Sequence, residues 1–568
     1  MVTKNESWKT VRIPLIGWTN ARGDTTYDNV DLEFLNTIWY KQKKLGDQEK
    51  FYALKRPAFD ERSTHSAAGN SVGYLSSFQE FFAGASGSAY EVWTSGAKIY
   101  DSTVAAPYTS LTLPKSGIRF GEGWYQSQRT VSWIAYNSTS TAQEFRFWVS
   151  DAGASATSTF SGDLNSSTSI TNVASTTGMY IGQKLTHASI PANTYITAIS
   201  GTTLTISNAA TATAAGQTIT RTSAAFVTDA DFPLSTVTGK PVYMDGYWFV
   251  LTNDGKLYNS DLNDITTWTA TGYIFINNTQ EQFLGLERVG NQIVAFGQKG
   301  FYYFYNLGNA TGSPLARAEG GIIEYGTDTS TSVCVLGHVI YFVGRQGSSM
   351  SGTPIAPGAG IFKIENGRAE KLSDNLPDVL NYVYAIHAIQ YQGKILIFLT
   401  DTSSDSYAIV YDSDINIWSK WSWNASAGQG FIGENGNYLC MAGAKRSLVV
   451  LFSADYSGTN NTRDFNTYTI DWSVVTSKLD FDTSKRKRFH RLTLVGDKEA
   501  STCNVTVTWS DDDYTNFTSA RTIDMSSTQN YLQQCGSARR RAIKLATSNL
   551  INHRFEALEI DYSLLEHA

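Results

Sequence analysis

The residues that could carry out chemistry in this chain are few and scattered. One stretch, Gly69–Gly73, matches the Gly-x-Ser-x-Gly pattern of a nucleophile elbow. Such an elbow stands on a tight turn from a strand into a helix, and no helical pattern follows this stretch, so we expect a chance match. The seven histidines are scattered without metal-ligand spacing, and no phosphate-binding or dinucleotide-binding fingerprint is present. We therefore expect no catalytic residues, no metal and no cofactor, and predict that the protein is not an enzyme.

Two acidic turns have more than one interpretation. Ser510–Tyr514 contains three consecutive aspartates, whose oxygens could bind Ca²⁺, although a solvated hairpin explains them more simply. Ser260–Trp268 resembles the Asp-box turn of sialidase-like propellers. Such a turn stabilises a hairpin and is not catalytic, so the match predicts fold rather than activity.

Two basic clusters lie near the C-terminus. Their cations could contact DNA phosphates or an acidic partner subunit, and a solvated turn would explain them equally well. The residues of the two clusters are Lys485, Arg486, Lys487 and Arg488, and then Arg539, Arg540 and Arg541.

The composition favours many short strands. Charged residues make up 17% of the 568 positions and aromatic residues 13%, and Ser, Thr, Asn and Gly separate the apolar runs. A chain of this length is longer than one hydrophobic core can accommodate, so at least two domains are expected. The net charge of −6 argues against a general nucleic-acid binder.

The sequence also indicates where the protein is made. Its first residues show no apolar stretch of a signal peptide, and no apolar run is long enough for a membrane-spanning helix. We therefore expect synthesis in the cytoplasm and no membrane-spanning segment. The four cysteines, which we expect to be free and buried, are Cys334, Cys440, Cys503 and Cys535.

The middle of the chain repeats one pattern, a glycine followed by an apolar strand, a polar turn and a second strand. A period of roughly 40–50 residues with several strands is typical of β-propeller blades. We predict an all-β protein with a β-propeller of six or seven blades. The repeats begin at Gly246, Gly290, Gly337 and Gly393, with a weaker one at Gly436.

Changes in composition divide the chain further. Residues 156–222 are rich in Ser, Thr and Ala and nearly free of charge, which indicates a small β-sandwich module inserted into the propeller. The last hundred residues alternate apolar and polar positions, as half-buried strands of a C-terminal β-sandwich do. The predicted domains are an N-terminal assembly segment (1–60), the first part of the propeller (61–155), the inserted module (156–222), the remainder of the propeller (223–468) and the C-terminal β-sandwich (469–568).

This order of domains, together with the texture of the strands, resembles the tail hub, or nozzle, proteins of short-tailed bacteriophages, also called packaged-DNA stabilisation proteins. The resemblance covers most of the chain except the insert at 156–222, and no catalytic motif anchors it. The most similar stretches are Phe283–Leu286, Phe301–Tyr305, Gly321–Ile323 and Gly337–Phe342.

The resemblance implies a structural virion protein without catalytic residues. It implies a homo-oligomeric ring, a hexamer, in the viral tail below the portal and adaptor proteins, assembled in the bacterial host cytoplasm. Tail fibre, spike or needle proteins would be further partners. Double-stranded DNA would be retained by this ring and later ejected through its lumen without sequence-specific contacts.

A carbohydrate-active propeller is the alternative function. The Asp-box-like turn and the 14 tryptophans favour a sialidase-like glycosidase or a glycan-binding tail adhesin. A glycosidase needs two carboxyl groups in one pocket, and a linear sequence does not reveal such a pair across blades.

Overall fold

The protein is built from β-strands in the part of the chain that the structure describes. In those residues there is no α-helix, one short 3₁₀ turn spans Ser330–Ser332, and no helix is long and apolar enough to cross a membrane. The computed structural model describes residues 8–15, 32–43, 49–56, 59–64, 75–83, 88–95, 98–101, 120–136, 143–149, 157–234, 236–276, 281–309, 311–327, 329–346, 359–374, 376, 380, 383–391, 393–401, 406–422, 431–432, 439–441, 447–451, 463–464, 468–549 and 553–565.

The strands are numbered here in chain order. The strands up to residue 226 are β1 (Lys9–Pro14), β2 (Leu32–Leu35), β3 (Thr37–Lys43), β4 (Glu49–Lys55), β5 (Phe59–Thr64), β6 (Leu75–Ala83), β7 (Ser88–Ser95), β8 (Lys98–Asp101), β9 (Gly121–Tyr125), β10 (Gln128–Tyr136), β11 (Gln143–Val149), β12 (Thr157–Asn165), β13 (Ser169–Thr171), β14 (Gln183–His187), β15 (Ile190–Ser200), β16 (Thr203–Ile206) and β17 (Thr213–Phe226).

The remaining strands complete the numbering. They are β18 (Val237–Met244), β19 (Tyr247–Thr252), β20 (Lys256–Asp261), β21 (Asp264–Phe275), β22 (Phe283–Val289), β23 (Gln292–Gly297), β24 (Phe301–Asn306), β25 (Leu315–Ile323), β26 (Tyr325–Gly326), β27 (Val333–Leu336), β28 (Val339–Gln346), β29 (Gly360–Glu365), β30 (Arg368–Lys371), β31 (Val383–Tyr391), β32 (Lys394–Asp401), β33 (Ser406–Asp412), β34 (Ile417–Ser422), β35 (Phe431–Ile432), β36 (Leu439–Met441), β37 (Ser447–Leu451), β38 (Arg463–Asp464), β39 (Tyr468–Thr469), β40 (Trp472–Thr476), β41 (Lys487–Gly496), β42 (Asn504–Ser510), β43 (Arg521–Asp524), β44 (Tyr531–Gln533), β45 (Ser537–Ala538), β46 (Ala542–Thr547) and β47 (Arg554–Leu564).

Most of these strands form antiparallel sheets that follow one another along the chain. Sheet 1 contains β6 to β8, and sheet 2 contains β9 to β11 with the end of β17 as its outer strand. Sheets 3 and 4 are the four-stranded meanders β18 to β21 and β22 to β25. Sheet 5 contains β26 to β30, sheet 6 contains β31 to β34, and sheet 7 pairs β35 to β37 with β5.

The seven sheets contact one another in a circle. The first strand of sheet 3, β18, lies against β9 of sheet 2 and β22 of sheet 4. The same kind of contact joins β22 to β27, β27 to β31, β31 to β35 and β35 to β6, and β6 lies against β10 of sheet 2. Meander sheets packed face to face around a circle are the architecture of a β-propeller. The predicted all-β propeller fold is thus confirmed.

The repeated glycines occupy the turns that precede β19, β23, β28 and β32 in four successive sheets. Gly246, Gly290, Gly337 and Gly393 have φ angles of 88°, 59°, 63° and 77°, a left-handed conformation that glycine adopts without steric cost. The strand after each glycine is covered on both faces by neighbouring sheets, which explains its unbroken apolar run. In β19, for example, Trp248 and Leu251 are both fully buried.

Other glycines allow the backbones of neighbouring sheets to touch. A Cβ atom built on Gly121 of sheet 2 would lie 2.0 Å from the carbonyl oxygen of Pro241 in sheet 3. A Cβ atom on Gly326 of sheet 5 would lie 1.7 Å from the carbonyl oxygen of Gln298, in the turn between β23 and β24 of sheet 4. Neither glycine has a positive φ, so the requirement at these two junctions is for space rather than for an unusual backbone conformation.

The circle is closed by a strand from the beginning of the chain. Sheet 7 takes its first three strands from β35 to β37, and its outer strand is β5, which pairs antiparallel with β37 from Leu451↔Phe59 to Ser447↔Thr64. Hydrogen bonds between two distant parts of the chain therefore hold this sheet together.

The insert between β11 and the outer strand of sheet 2 is a small barrel. The pairings run from β12 to β13, β16, β15, β14 and β17, and β17 pairs again with β12. This closed circuit of six strands refines the small β-sandwich predicted for residues 156–222. Its interior is apolar and includes the fully buried Leu164, Ile196 and Ile219.

Strand β17 is shared by the barrel and sheet 2, which fixes the barrel to the propeller. The residues of β17 from Thr213 to Thr222 pair with β12, and the following Ala225 and Phe226 pair with β11. The buried Gln183 receives a hydrogen bond from the amide of Tyr180 (2.9 Å) and donates one to the carbonyl of Ser223 (3.2 Å). The barrel is therefore continuous with sheet 2 through β17.

The two ends of the chain form a second unit, which we call the terminal body (β1 to β4 and β40 to β47). One of its sheets has the order β3-β4-β47-β41-β44, with β1 also pairing to β47. The other runs β2-β40-β46-β42-β43 and continues sheet 6 through a parallel contact between Leu35 and Lys420. The predicted domain boundaries stay predictions, although strands from 1–60 and from 469–568 pair within the same sheets.

A buried polar cluster joins the terminal body to sheet 6. Arg56 is fully buried and donates hydrogen bonds to the side-chain oxygen of Asn36 (3.0 Å) and the carbonyl of Ser422 (2.8 Å). Asn36 has a φ of 54° and donates to the carbonyl of Asp471 (2.7 Å). Because these bonds connect three separate chain segments, they set how β2 enters between β34 and β40.

Three cysteines are free and buried, as predicted, namely Cys334, Cys503 and Cys535. Burial raises the pKa of the Cys503 and Cys535 thiols, which disfavours their thiolate form. The side chain of Cys440 lies outside the described residues.

His553 is a buried titratable residue of the terminal body. The buried imidazole contacts Glu499 through Nδ1 (2.6 Å). The charge of Asp497 also raises the pKa of His553, and that of Arg554 lowers it. Burial lowers the pKa of His553 below 6.5, more than these carboxylates raise it. A lowered pKa in the folded state means that the full stability is present above pH 6.5 and falls as the pH drops below that value.

We therefore expect the urea midpoint of the terminal body to be lower at pH 5.5 than at pH 7.5. The variant His553→Gln should lose most of that difference, because glutamine does not titrate. An equal pH dependence in both proteins would show that other groups cause it.

Candidate DNA or subunit contact surface

The two basic clusters lie side by side in the terminal body. Strand β41 pairs with β45 through Lys487↔Ala538 and Arg488↔Ser537. This pairing brings residues 485–488 next to residues 539–541, although about fifty positions separate them in the sequence. The clusters predicted from the sequence therefore form one site.

Lys487 is an interior cation of this site. Its side chain is fully buried, and Nζ donates to the carbonyl oxygens of Thr483 (2.6 Å), Lys485 (2.9 Å) and Arg539 (2.5 Å). Burial lowers the pKa of Lys487, while Asp480 raises it to a smaller extent. Lys487 thus ties the two clusters together and does not reach a partner.

Arg541 is also an interior cation, with 1% of the residue exposed. Its guanidinium donates to both carboxylate oxygens of Asp511, at 2.7 and 2.8 Å, and to the carbonyl of Cys535. The group also lies over the rings of Phe489 and Trp509, 4.1 and 4.9 Å from their centroids. The planar guanidinium of arginine suits both contacts, because it can donate two hydrogen bonds to one carboxylate and lie over aromatic rings.

The acidic turn at 510–514 supplies the counter-ions of the basic clusters. Asp511 binds Arg541, and Asp513 forms ion pairs with Arg540 and, at 3.5 Å, with Lys478. In the described residues no group of three or more His, Cys, Asp or Glu side chains could hold a metal ion. Asp511 and Asp513 are thus paired with arginine and lysine, while all three aspartates of the turn remain exposed, as in a solvated hairpin.

Asp512 organises the same turn from within. It accepts hydrogen bonds from the amide and the side chain of Asn516 (2.9 and 2.8 Å) and from the hydroxyl of Ser510 (2.7 Å). These bonds, those from Asn516 above all, lower the pKa of Asp512 to about 2. The carboxylate is therefore charged at neutral pH.

Five cations of the two clusters remain at the surface, and we call them the basic surface. Arg486 donates weakly to the carbonyl of Ser537 (3.4 Å), and Arg540 is paired with Asp513. The members of the basic surface are Lys485, Arg486, Arg488, Arg539 and Arg540, all exposed.

An exposed aromatic residue lies beside the basic surface, and the sequence analysis missed it. The ring of Trp8 stacks on His490 with centroids 4.4 Å apart and an angle of 11° between the planes, yet 59% of Trp8 stays exposed. His490 is two positions from Arg488 on β41 and contacts the hydroxyl of Ser563 (2.8 Å). The sequence signal that could have indicated this exposed residue is a single tryptophan among polar neighbours near the N-terminus.

The other motifs of the sequence have structural roles or lie outside the described residues. In the Asp-box-like turn, Asp264 accepts hydrogen bonds from the amide and hydroxyl of Thr266 (2.8 and 2.6 Å), and Trp268 is buried with Nε1 donating to Ile265 (2.9 Å). This turn stabilises sheet 3. The stretch Gly69–Gly73 lies outside the described residues.

The comparison with known families finds a match to part of the chain. The model of a family described as bacteriophage P22 Gp10, β-propeller, matches residues 158–403. The resemblance to packaged-DNA stabilisation proteins is thereby confirmed over that range, and the matched family is one of phage structural proteins. The range begins inside the barrel, which the sequence analysis had left out of the resemblance, and it ends before the basic surface.

The solved structures that match the chain are distant from it in sequence and in structure. The β-propeller domain of the Trilobed protease from Pyrococcus furiosus is 8% identical, with a TM-score of 0.32 over 68% of this chain and 97% of that chain. BamB from Moraxella catarrhalis is 10% identical, with a TM-score of 0.28 over 76% of this chain and 95% of that chain. No curated protein matches the sequence.

Proposed function

We propose that this chain, whose residues 158–403 match the P22 Gp10 β-propeller family, is the tail hub, or nozzle, of a short-tailed bacteriophage. In this role it forms a homo-oligomeric ring, a hexamer, below the portal and adaptor. The ring retains packaged DNA and provides the channel for its ejection. The family match is the observation that carries the proposal.

The circle of sheets supports a wall-forming role. We infer seven blades, one for each of sheets 1 to 7, with the terminal body extending sheet 6 outward. Residues 237–422 contain 17 acidic and 11 basic residues. A wall of this net charge would let duplex DNA pass, because it offers few cations to hold the phosphates.

The proposed partners follow from this position in the particle. Portal and adaptor proteins would contact the ring above, and fibre, spike or needle proteins would contact it at the side or below. DNA in the lumen would be bound without sequence preference. The proposed hub has no catalytic residues and is assembled in the host cytoplasm before it becomes part of the tail.

The carbohydrate-active alternative has less support. Its main sequence signal was the Asp-box-like turn, and there the Asp264 carboxylate holds a hairpin through Thr266. This local role accounts for the motif without a glycan pocket.

Immunogold electron microscopy on purified particles would test the proposed function. We expect gold at one vertex, between the capsid and the tail tip, and no gold on particles from a strain in which the gene is interrupted. Gold at fibre tips would favour the adhesin or glycosidase, and unlabelled wild-type particles would remove the protein from the virion.

A further inference from the structure

We infer that the basic surface is an interface for an acidic surface on a second copy of this chain. The inference rests on the ring of the proposed function and names the contact that would build it. Lys485, Arg486, Arg488, Arg539 and Arg540 would provide the positive side of this contact, with Trp8 as its apolar part.

The basic surface has unused charge. Among the described residues, only Arg540 of its five cations has a carboxylate partner, which is Asp513. Asp511 binds the buried Arg541 and Asp512 holds its own turn. Asp480 and Asp482, in the turn before Lys485, form no ion pair with the five cations among the described residues. A cluster of exposed cations that the chain itself does not neutralise attracts an acidic partner.

The composition of the surface favours a protein over DNA as that partner. Four of the five cations are arginines. The planar guanidinium group of an arginine can bind one carboxylate through two parallel hydrogen bonds. Trp8 is exposed beside them, with its ring stacked on His490. Tryptophan and arginine are enriched in the cores of protein interfaces, whereas contact with duplex phosphates needs no exposed indole ring.

The chain itself carries the complementary charge. Residues 237–422 of the propeller have an excess of acidic residues, whereas residues 470–568 contain 13 acidic and 13 basic residues. The terminal body lies outside sheet 6, because β2 pairs with the outer strand β34. A contact between the terminal body of one copy and the propeller of the next joins two different surfaces, as a closed ring of identical subunits requires.

The test is the self-association of the full-length chain, measured by sedimentation velocity at low and high salt. In the variant Arg488→Glu/Arg539→Glu we expect at least about tenfold weaker association than in the wild type. Raising the salt concentration should weaken the wild-type assembly as well. The matched control is Lys498→Glu/Lys544→Glu, which makes the same charge change at exposed positions of the terminal body and should assemble like the wild type.

Circular dichroism and a urea midpoint equal to those of the wild type would show that the variant is folded. A monomeric wild-type chain, or a charge-reversal variant that assembles normally, would overturn the inference. So would binding of duplex DNA by the wild type that is lost in Arg488→Glu/Arg539→Glu while assembly persists, since the surface would then be a phosphate site.

The inference and the proposed function can fail separately. If gold labels one vertex but the variant Arg488→Glu/Arg539→Glu assembles like the wild type, the proposed interface is wrong and the proposed hub function stands. Salt-sensitive self-association of a protein that is absent from the particle would retain the interface and overturn the hub.

Discussion

Replacing Gly326 with alanine is expected to destabilise the propeller by about 3 kcal/mol or more. The new Cβ atom would lie 1.7 Å from the carbonyl oxygen of Gln298 and 2.2 Å from its carbon. Both atoms belong to backbone, so no side chain can rotate away. The hydrogen bond from Thr327 to the carbonyl of Gly297 (3.1 Å) holds the same two segments together, and sheets 4 and 5 would have to separate.

Gly337→Ala is the matched control for this substitution. Gly337 lies in the same sheet, has a φ of 63° and has open space where the new methyl group would lie. Its replacement should cost only about 1–2 kcal/mol, from backbone strain. Urea unfolding followed by tryptophan fluorescence would measure both variants, and equal losses would show that the contact between sheets 4 and 5 is not tight.

The second large effect is expected for Arg541→Met, which should destabilise the terminal body by about 3 kcal/mol. Removing one partner of a buried ion pair typically costs about 3–5 kcal/mol. The lower end applies here, because the Asp511 side chain is 39% exposed and water can replace part of the lost contact. The variant also leaves the carbonyl of Cys535 without its donor.

Arg540→Met provides the comparison for Arg541→Met. Arg540 is the preceding residue and also pairs with an aspartate, but 45% of its side chain is exposed. An exposed ion pair contributes about 0–1 kcal/mol, so this variant should unfold almost like the wild type. If both variants lost similar stability in urea unfolding, the interior role assigned to Arg541 would be wrong.

The sequence was most informative in the repeats, because each of them meets the same local structural requirements. Gly246 and its equivalents mark a turn that needs a left-handed residue, and the apolar run that follows must fill a strand covered on both faces. Both requirements act within a dozen residues. The propeller could therefore be predicted from one sequence, and so could the strands of each repeat.

The site could be predicted only in part, because it depends on contacts between distant segments. Lys487 and Arg541 look like their neighbours in the sequence, yet both are buried. Their burial is possible because carbonyl groups surround Lys487 and Asp511 reaches Arg541 across 30 positions. Nothing local to either cluster specifies these partners, and the same limit applies to the stack of Trp8 on His490.

The inserted module shows a similar limit. Its short alternating strands predict a two-layered β-structure, and a sandwich and a small barrel share that pattern. The difference is the pairing of β12 with β17, whose registers run from Thr157↔Thr222 to Asn165↔Thr213. Only the hydrogen bonds between the first and last strands of the module decide it.

The pairing of both chain ends has a consequence for the order of folding during synthesis. β5 leaves the ribosome early but cannot find β37 until almost 400 more residues have followed, and β1 waits for β47. At roughly 5–20 residues per second, this wait lasts on the order of half a minute. Sheets 2 to 6 can form as they emerge, because their partners are close in sequence. The circle of sheets closes only after β37 has emerged, and the terminal body only after β47 has emerged. Until then the newborn chain presents unpaired strand edges, for which host chaperones would compete with aggregation.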